Sequence, residues 1–203
     1  MTNIYRQFWV TLFAAAFLAG CATGPKLSQE QILAQNEQIA KLDTGLKDAA
    51  AQGVDNLAPD GYRAARAQLD KALAEAGADR PDTANSAATQ GLQTLATANQ
   101  HAEVSRDVLR EVIEARSKAL QAGATSIFPE RAADLDEEFR KVANLVERER
   151  IVEAKDRRPR LIAGYEQLEL AALKEGTVEA AQAAIADAKD QGAAKHAPTT
   201  FKP

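Results

Sequence analysis

Residues 57–77 read LAPDGYRAARAQLDKALAEAG, and this stretch decides the fold. Pro59 suits the first position of a helix, where no N–H is needed, and Asp60 suits the positively polarised first turn. Small or apolar side chains then recur every three or four residues, at Tyr62, Ala65, Leu69, Ala72, Leu73 and Ala76. The spacing predicts an amphipathic helix that packs through a narrow, alanine-rich face.

The segment before this stretch predicts a first helix over 28–53. Ser28 and Gln31 have the spacing of a capping box, in which each side chain bonds the other residue's backbone N–H. An apolar seam with nearly heptad spacing follows, at Ile32, Ile39, Leu42, Leu46 and Ala49. Because such seams join helices within one chain or between chains, a self-associating coiled coil is one hypothesis for this protein.

Glycines and prolines divide the chain that follows. The predicted boundaries are Gly53, Gly77, Gly123, Pro129 and Gly176. A long helix is predicted from about Pro81 to Gln121. Pro81 and Pro159 are each placed at the turn of a helical hairpin, and a kink or short break is predicted at Gly176–Thr177.

The pattern repeats with a nearly constant period. Pro59, Pro129 and Pro198 each follow a small or apolar residue, and they lie 70 and 69 residues apart. Such self-similarity is typical of stacked helical hairpins. We therefore predict an all-α fold of elongated antiparallel hairpins, or a bundle with coiled-coil-like packing. Its two repeats would span 58–123 and 128–192, and a flexible tail would follow over 193–203.

Composition narrows the function classes. The net charge is −4, and aromatic residues make up 5% of the chain. A nucleic-acid partner is not expected, because nucleic acids bind clustered basic faces. Much of the apolar content is alanine, which buries little surface per residue. Thin helix-on-helix packing is therefore expected rather than a thick core.

Residues 1–20 have the layout of a secretory signal peptide. Residues 1–6 carry one positive charge, and the run from Phe8 to Leu18 is almost entirely apolar. That run is shorter than the roughly 20 residues that a membrane-spanning helix needs. Leu18-Ala19-Gly20-Cys21 follows it and resembles the lipobox of bacterial lipoproteins.

The lipobox resemblance implies a defined series of modifications. The Cys21 thiol would receive a diacylglycerol, a peptidase would cut between Gly20 and Cys21, and the new amino terminus would be acylated, with palmitate as a common chain. Residues 21–27 would form a lipidated tether that holds the protein stably on a membrane. Ala22 favours the outer membrane, facing the periplasm, because enterobacterial lipoproteins retained in the inner membrane commonly have Asp there.

A second resemblance covers most of the predicted mature chain. The segments 57–65 (LAPDGYRAA), 69–72 (LDKA) and 92–96 (LQTLA) are similar to a family of alanine-rich helical lipoproteins of unknown function. Its members pair a lipobox with helical hairpins that begin at Ala-Pro, and some continue into an OmpA-like domain that binds peptidoglycan. That domain is not expected in this sequence, so no peptidoglycan-binding residue is carried over. The chain is either a shortened relative of such proteins or a form with a free tail.

Few residues suggest chemistry. His101 is expected on a helix surface or seam, and His196 in a loop. Neither has a spacing that indicates a catalytic pair or a zinc site, so no enzyme activity, cofactor or metal is predicted. The acids Asp134, Asp136, Glu137 and Glu138 have the spacing of a solvated helix face.

The charged run 148–160 is the one candidate contact surface. Its arginines and lysine are interleaved with acidic residues. The simpler interpretation is an exposed hairpin tip whose charges pair with one another. The alternative is that Arg157, Arg158 and Arg160 bind an anionic envelope polymer or a partner.

These patterns lead to three hypotheses of function. The first is a lipid-anchored envelope lipoprotein with a structural, spacer or adaptor role, in contact with an envelope protein or a peptidoglycan-associated partner. The second is a helical carrier or binding module for a small ligand or a client protein. The third is the self-associating coiled-coil lipoprotein. The oligomeric state is left open.

Overall fold

The computed structural model of the chain describes residues 27–192. Every regular element in that range is a helix, which confirms the all-α prediction. The helices are α1 (Gln29–Gln35), α2 (Glu37–Ala51), α3 (Val54–Leu57), α4 (Pro59–Gly77), α5 (Pro81–Val108), α6 (Arg110–Gln121), α7 (Ala124–Ile127), α8 (Pro129–Glu147) and α9 (Ile151–Asp190). The predicted signal peptide, Cys21 and the predicted tail over 193–203 lie outside the described residues. No helix between residues 27 and 192 is long and apolar enough to span a membrane.

The helices α2, α4 and α5 form a first three-helix unit. Leu42 of α2 lies against Gly91 of α5, and Gly45 lies against Leu95. Both contacts advance in the same direction along the two helices, so α2 and α5 run parallel. The absence of a side chain at Gly91 allows the two helices to approach closely there, since a Cβ would lie 2.4 Å from a Leu42 methyl carbon.

Helix α4 runs antiparallel to α5 and completes this unit. Gly61 at its start lies against Ala98, whereas Gln68, two turns later, lies against Gly91. Pro59 is the first residue of α4, as predicted. The two helices form the most extensive helix pair in the described part of the chain.

The helices α6, α8 and α9 form a second three-helix unit. Arg158 of α9 bonds the carbonyl of Val108, the last residue of α5 and just before α6. Tyr165 of α9 and Arg116 of α6, further along, both bond Asp136 of α8. Helices α6 and α9 therefore run parallel. Helix α8 runs antiparallel to α9, which follows it after a short turn.

The two units are stacked end to end. Helix α6 continues the path of α5, and the Leu109 N–H between them still donates to the Ser105 carbonyl at 2.8 Å. The end of α8 meets the start of α4, where Glu147 bonds the backbone of Asp60 and Gly61. The molecule is thus elongated, with the start of α1 and the end of α9 at opposite ends.

The first helix is divided, contrary to the prediction of one helix over 28–53. Asn36 has an extended backbone (φ −125°, ψ 94°), and its side-chain Nδ2 donates to the Ile32 carbonyl at 2.8 Å. Asparagine competes in this way with backbone hydrogen bonds and so favours helix ends. The predicted capping box is confirmed, because Ser28 and Gln31 exchange backbone-to-side-chain hydrogen bonds of 2.9 and 3.3 Å.

The long helix predicted from Pro81 to Gln121 is interrupted at Leu109. The backbone of Leu109 (φ −107°, ψ 17°) departs from helical values. Leu109 is buried, and the guanidinium of Arg158 bonds the carbonyl of the preceding Val108. Because that guanidinium comes from α9, the interruption is tied to a tertiary contact that the local sequence does not contain.

The second hairpin reverses at Glu149, so the prediction of a turn at Pro159 is wrong. Pro159 lies inside α9. Glu149 has a φ of 58°, and the Arg150 N–H donates to the Leu145 carbonyl at 2.8 Å, which closes the end of α8. Asp79 has a φ of 57° in the first hairpin. Acidic residues rather than glycine occupy the left-handed position of both turns, so the usual turn signal is missing.

Of the four helix boundaries predicted at glycine, three are confirmed and one is wrong. Helix α4 ends at Gly77. Gly53 and Gly123 have φ values of 76° and 83° and follow the ends of α2 and α6. Helix α9, in contrast, continues through Gly176 without a break. The Thr177 hydroxyl donates to the Leu173 carbonyl at 2.7 Å and remains compatible with the helix.

The core is thin and rich in alanine. Nearly half of the buried apolar residues are alanine. Ile39, Leu42 and Leu46 of α2 are at most 1% exposed, because α4 and α5 cover them. The seam predicted near the start of the chain therefore packs within the chain and is not open to a second copy.

Candidate functional site

The predicted lipidation and cleavage site stays a prediction. Gly20 and Cys21 lie outside the described residues, and so does His196. His101 is half-buried on α5. Between residues 27 and 192, no three His, Cys, Asp or Glu side chains are grouped so that they could hold a metal ion.

Two of the arginines predicted as an anionic contact face acids of their own chain. Arg157 is exposed and pairs with Glu153 at 2.8 Å. The hydrogen bond from Lys141 has the largest effect in lowering the pKa of Glu138 on α8, and the charges of Arg160 and Arg157 lower it further. Arg157 therefore belongs to a self-paired surface, and Arg160 lies near the Glu138 carboxylate of the same surface. They lie along a helix, however, rather than at the predicted hairpin tip.

Arg158 points elsewhere and is half-buried. Its Nη1 donates to the Val108 carbonyl at 3.0 Å, and its Nε is buried without a hydrogen-bond partner among the described residues. The buried hydroxyl of Ser105, one turn before Val108, also has no partner within that range. Arg158 holds α9 against the bend between α5 and α6, so the predicted group of three arginines does not form one surface.

The best-defined polar cluster joins the three helices of the second unit. Asp136 of α8 accepts two hydrogen bonds from Arg116 of α6, at 2.8 Å from Nε and 2.7 Å from Nη2. The hydroxyl of Tyr165 on α9 donates to the same carboxylate at 2.7 Å. The Arg116 guanidinium also lies 5.9 Å from the centre of the Phe139 ring. We call Arg116, Asp136 and Tyr165 the polar triad.

The polar triad keeps each group in the protonation state that binds its neighbours. Burial raises the pKa of Asp136, but the hydrogen bonds from Arg116 and Tyr165 and the charge of Arg116 outweigh it and leave that pKa below its usual value. Burial and the hydrogen bond to Asp136 raise the pKa of Tyr165. The side chains of Arg116 and Asp136 are only 27% and 20% exposed. This arrangement fixes the register of three helices rather than presenting a reactive group.

Sequence reasoning missed the triad because it grouped Asp136 with the solvated acids of α8. Glu137 and Glu138 do pair with Lys141 at the surface. Asp136, in contrast, follows the buried Ala132 by one helical turn. Helical spacing alone could have placed Asp136 towards the interior.

The second half of α9 forms the main exposed apolar feature of the described residues. Helix α9 extends past the end of α6, and residues 177–187 are all exposed. Four of the seven large apolar side chains that are exposed lie in α9 from residue 170 onwards, between 47% and 54% exposed: Leu170, Leu173, Val178 and Ile185. Single exposed apolar residues are ordinary, but an aligned group of them marks an interaction surface.

Comparison of the chain with protein-family models, with curated proteins and with solved structures finds no match. The resemblance to alanine-rich helical lipoproteins therefore rests on the segments 57–65, 69–72 and 92–96 alone.

Proposed function

We propose that this chain is a lipid-anchored lipoprotein of the bacterial envelope that acts as a spacer or adaptor in the periplasm. The observation that carries the proposal is the common direction of the helices. Helix α2 runs parallel to α5, α6 continues α5, and α9 runs parallel to α6. A chain held by lipid at Cys21 would therefore direct the end of α9 away from the membrane. Ala22 favours the outer membrane as the site of attachment.

The reach of this arrangement supports a spacer. Helices α5 and α6 together extend about 60 Å at roughly 1.5 Å per residue. Arg158 lies level with Val108, and Tyr165 with Arg116, so α9 passes the end of α6 near residue 171. The remainder of α9 adds about 30 Å at the same rise per residue. The total of about 90 Å suits a protein that bridges a gap.

The packed interior favours a spacer over a carrier. The residues between the helices are small and close-packed, with Ala65, Ala88 and Ala102 fully buried. In this proposal the two units are copies of one repeat of about 70 residues. Helices α3 and α4 have the lengths of α7 and α8 and begin 70 residues earlier.

A labelling experiment tests the lipid anchor. The full chain and its Cys21→Ser variant would be produced in bacteria fed radiolabelled palmitate. We expect label and membrane attachment in the parent, and an unlabelled precursor of higher mass in the variant. Thr23→Ser is the matched control, and it should behave like the parent. Labelled, mature Cys21→Ser protein would contradict the proposal.

A depth measurement tests the spacer role. The lipidated protein would be reconstituted in vesicles that contain a lipid-linked quencher. A fluorophore would be attached through Glu30→Cys, in the first turn of α1, or through Ala183→Cys, on the far part of α9. We expect quenching at position 30 and none at position 183. Equal quenching at both positions would mean that the molecule lies flat on the membrane, and the spacer role would be wrong.

A further inference from the structure

The far part of α9 carries an apolar row that faces away from the interior of the second unit. The inner face of α9 is formed by Leu161, Tyr165, Leu168 and Ala172, which are all at most 5% exposed. Continuing that face by helical spacing leads to the polar residues Glu175 and Glu179. The apolar row at positions 178, 181, 185 and 188 lies about two fifths of a turn away from that face, and its first three residues are exposed to solvent.

This row has two counterparts earlier in the chain. A row with the same spacing of three, four and three residues occurs at positions 39–49 of α2, where all four residues are apolar. The same spacing recurs at 109–119 across the start of α6, where the third position is Arg116. Each row ends four residues before a glycine with positive φ, at Gly53 (76°), Gly123 (83°) and Gly192 (78°). The rows are 70 and then 69 residues apart. By position, the far part of α9 is the first helix of another unit.

The three rows differ in what covers them. Ile39 and Leu42 of the first row are fully buried by α4 and α5. Leu109 and Val112 of the second row are fully buried in the second unit. Val178 in the third row is 48% exposed. A surface with the apolar spacing of the first packing seam is thus uncovered within residues 27–192.

We propose that the row Val178, Ala181, Ile185 and Ala188, called the α9 row, pairs antiparallel with the α9 row of a second copy of this chain. Antiparallel pairing places Val178 opposite Ala188 and Ile185 opposite Ala181, so that every layer combines a large and a small side chain. The two helices then remain evenly spaced along the contact. Parallel pairing would place large side chains together in some layers and alanines together in others, which leaves the small layers underpacked.

The flanking charges favour the same orientation. With Val178 opposite Ala188, Glu175 of each copy lies beside Lys189 of the other copy, because both residues flank the row on the same side. The symmetry of the pair gives this contact twice. In a parallel pair the flanking neighbour of Lys189 is Ala184, which gives no ion pair. Opposite charges at such flanking positions set the orientation of paired helices.

The contact is small, so the dimer is weak and reversible. Two alanine-rich rows, each about 16 Å long, bury far less than a standard interface of roughly 1,600 Å². Two copies held on one membrane would meet at a raised effective concentration, which favours pairing. The pairing itself needs only the α9 row and does not depend on the proposed lipid anchor.

Photo-crosslinking of the full chain in the producing cells tests the proposal. A photoreactive phenylalanine analogue would replace Thr177, which flanks the α9 row and is exposed. We expect an adduct of twice the chain mass, joined to the second copy near Gln191. An adduct near Thr177 or Gln182 of the second copy would indicate parallel pairing and overturn the proposal. Only unlinked chains, or adducts only with another protein, would overturn it as well.

Matched variants separate pairing from folding. Ile185→Asp should abolish the adduct, whereas Val152→Asp, at a residue that is 75% exposed near the start of α9, should leave it unchanged. Glu175→Lys should weaken the pair about tenfold, because it converts two attractive contacts into repulsive ones. Combining Glu175→Lys with Lys189→Glu should restore the adduct. Equal adduct yields in all four variants would rule out the α9 row as the contact.

Discussion

The carboxylate of Glu147 accepts a hydrogen bond of 2.9 Å from the backbone N–H of Gly61, across the boundary between the two units. Its second oxygen accepts the Asp60 N–H at 3.0 Å. Both N–H groups belong to the first turn of α4, which has no side-chain cap of its own. The last residue of α8 thus caps the first unit, and the stability of the two units is coupled.

Loss of this cap should destabilise the protein. Glu147→Gln keeps the shape but removes the negative charge from the start of α4, and we expect a loss of about 1 kcal/mol in the free energy of unfolding. Urea unfolding followed by circular dichroism measures the loss. Glu166→Gln, at an exposed position of α9, is the control and should change little. Equal stability of both variants would mean that the cap contributes nothing.

Two glycine substitutions should have opposite effects. A Cβ at position 61 would lie 2.9 Å from the Ala98 Cβ and 3.1 Å from the Glu147 carboxylate. Gly61→Ala should therefore destabilise the protein by about 1–3 kcal/mol through overpacking. Nothing lies within 4 Å of a Cβ at position 176, inside α9. Gly176→Ala should stabilise that helix by about 0.5–1 kcal/mol, measured as a higher midpoint in the same unfolding assay.

Asp136 should make stability depend on acid pH. Its pKa is below 3.8 in the folded protein, so its contribution is present above about pH 4 and is lost as the pH falls through the folded pKa. Asp136→Asn should lose about 1–2 kcal/mol at pH 7, because Arg116 is left without its counter-charge and the partial exposure screens the pair. The difference between parent and variant should shrink below pH 4. A constant difference down to pH 2 would contradict this account.

Tyr165 should make stability depend on alkaline pH. Because its pKa is raised above 10.0 in the folded protein, its contribution is complete below pH 10 and is lost at higher pH. Tyr165→Phe removes one hydrogen bond and should cost about 1 kcal/mol at pH 7. Thermal unfolding between pH 7 and pH 11 should show the parent losing its advantage over the variant above pH 10. An advantage that persists unchanged at pH 11 would mean that Tyr165 does not ionise on unfolding.

The arginines of α9 should separate into structural and surface groups. Arg158→Gln removes the bond to the Val108 carbonyl and should destabilise the protein by about 1–2 kcal/mol. Arg157→Gln and Arg160→Gln should change stability by less than about 0.5 kcal/mol, because both residues are exposed. A test of anion binding should therefore use the Arg157/Arg160 pair alone. Unchanged binding of an anionic envelope polymer by that double variant would exclude a role for this surface.

The periodicity of apolar residues and the positions of glycine and proline were sufficient to predict the fold class and several helix boundaries. The apolar spacing around Leu69 predicted α4, and Pro59 predicted its first residue. Gly53 and Gly123 predicted the ends of α2 and α6. These features depend on local backbone preference and on one apolar face, and both are determined by residues that are close in sequence. The turns at Asp79 and Glu149 were harder to predict, because left-handed backbone at acidic residues is imposed by closure of the hairpin.

The polar contacts could not be predicted from the residue spacing within single helices. Asp136 accepts its hydrogen bonds from Arg116 and Tyr165, which lie 20 and 29 residues away in sequence. The cap at Gly61 comes from Glu147, 86 residues away. The first contact forms only when α6, α8 and α9 pack together, and the second only when the two units stack. The anchor at Cys21, in contrast, depends on a local tetrapeptide, and it stays a prediction.

The parallel course of α2, α5, α6 and α9 has a mechanical consequence. Tension applied between the start of α1 and the end of α9 acts along the helices, so neighbouring helices would have to slide past each other lengthwise. Many side-chain contacts must then break together, including those at Gly91 and at the polar triad. Pulling instead between Asp79 and the start of α1, at one end of the molecule, would peel α2 from its neighbours one contact at a time. The protein should therefore resist stretching along its length better than unzipping from one end.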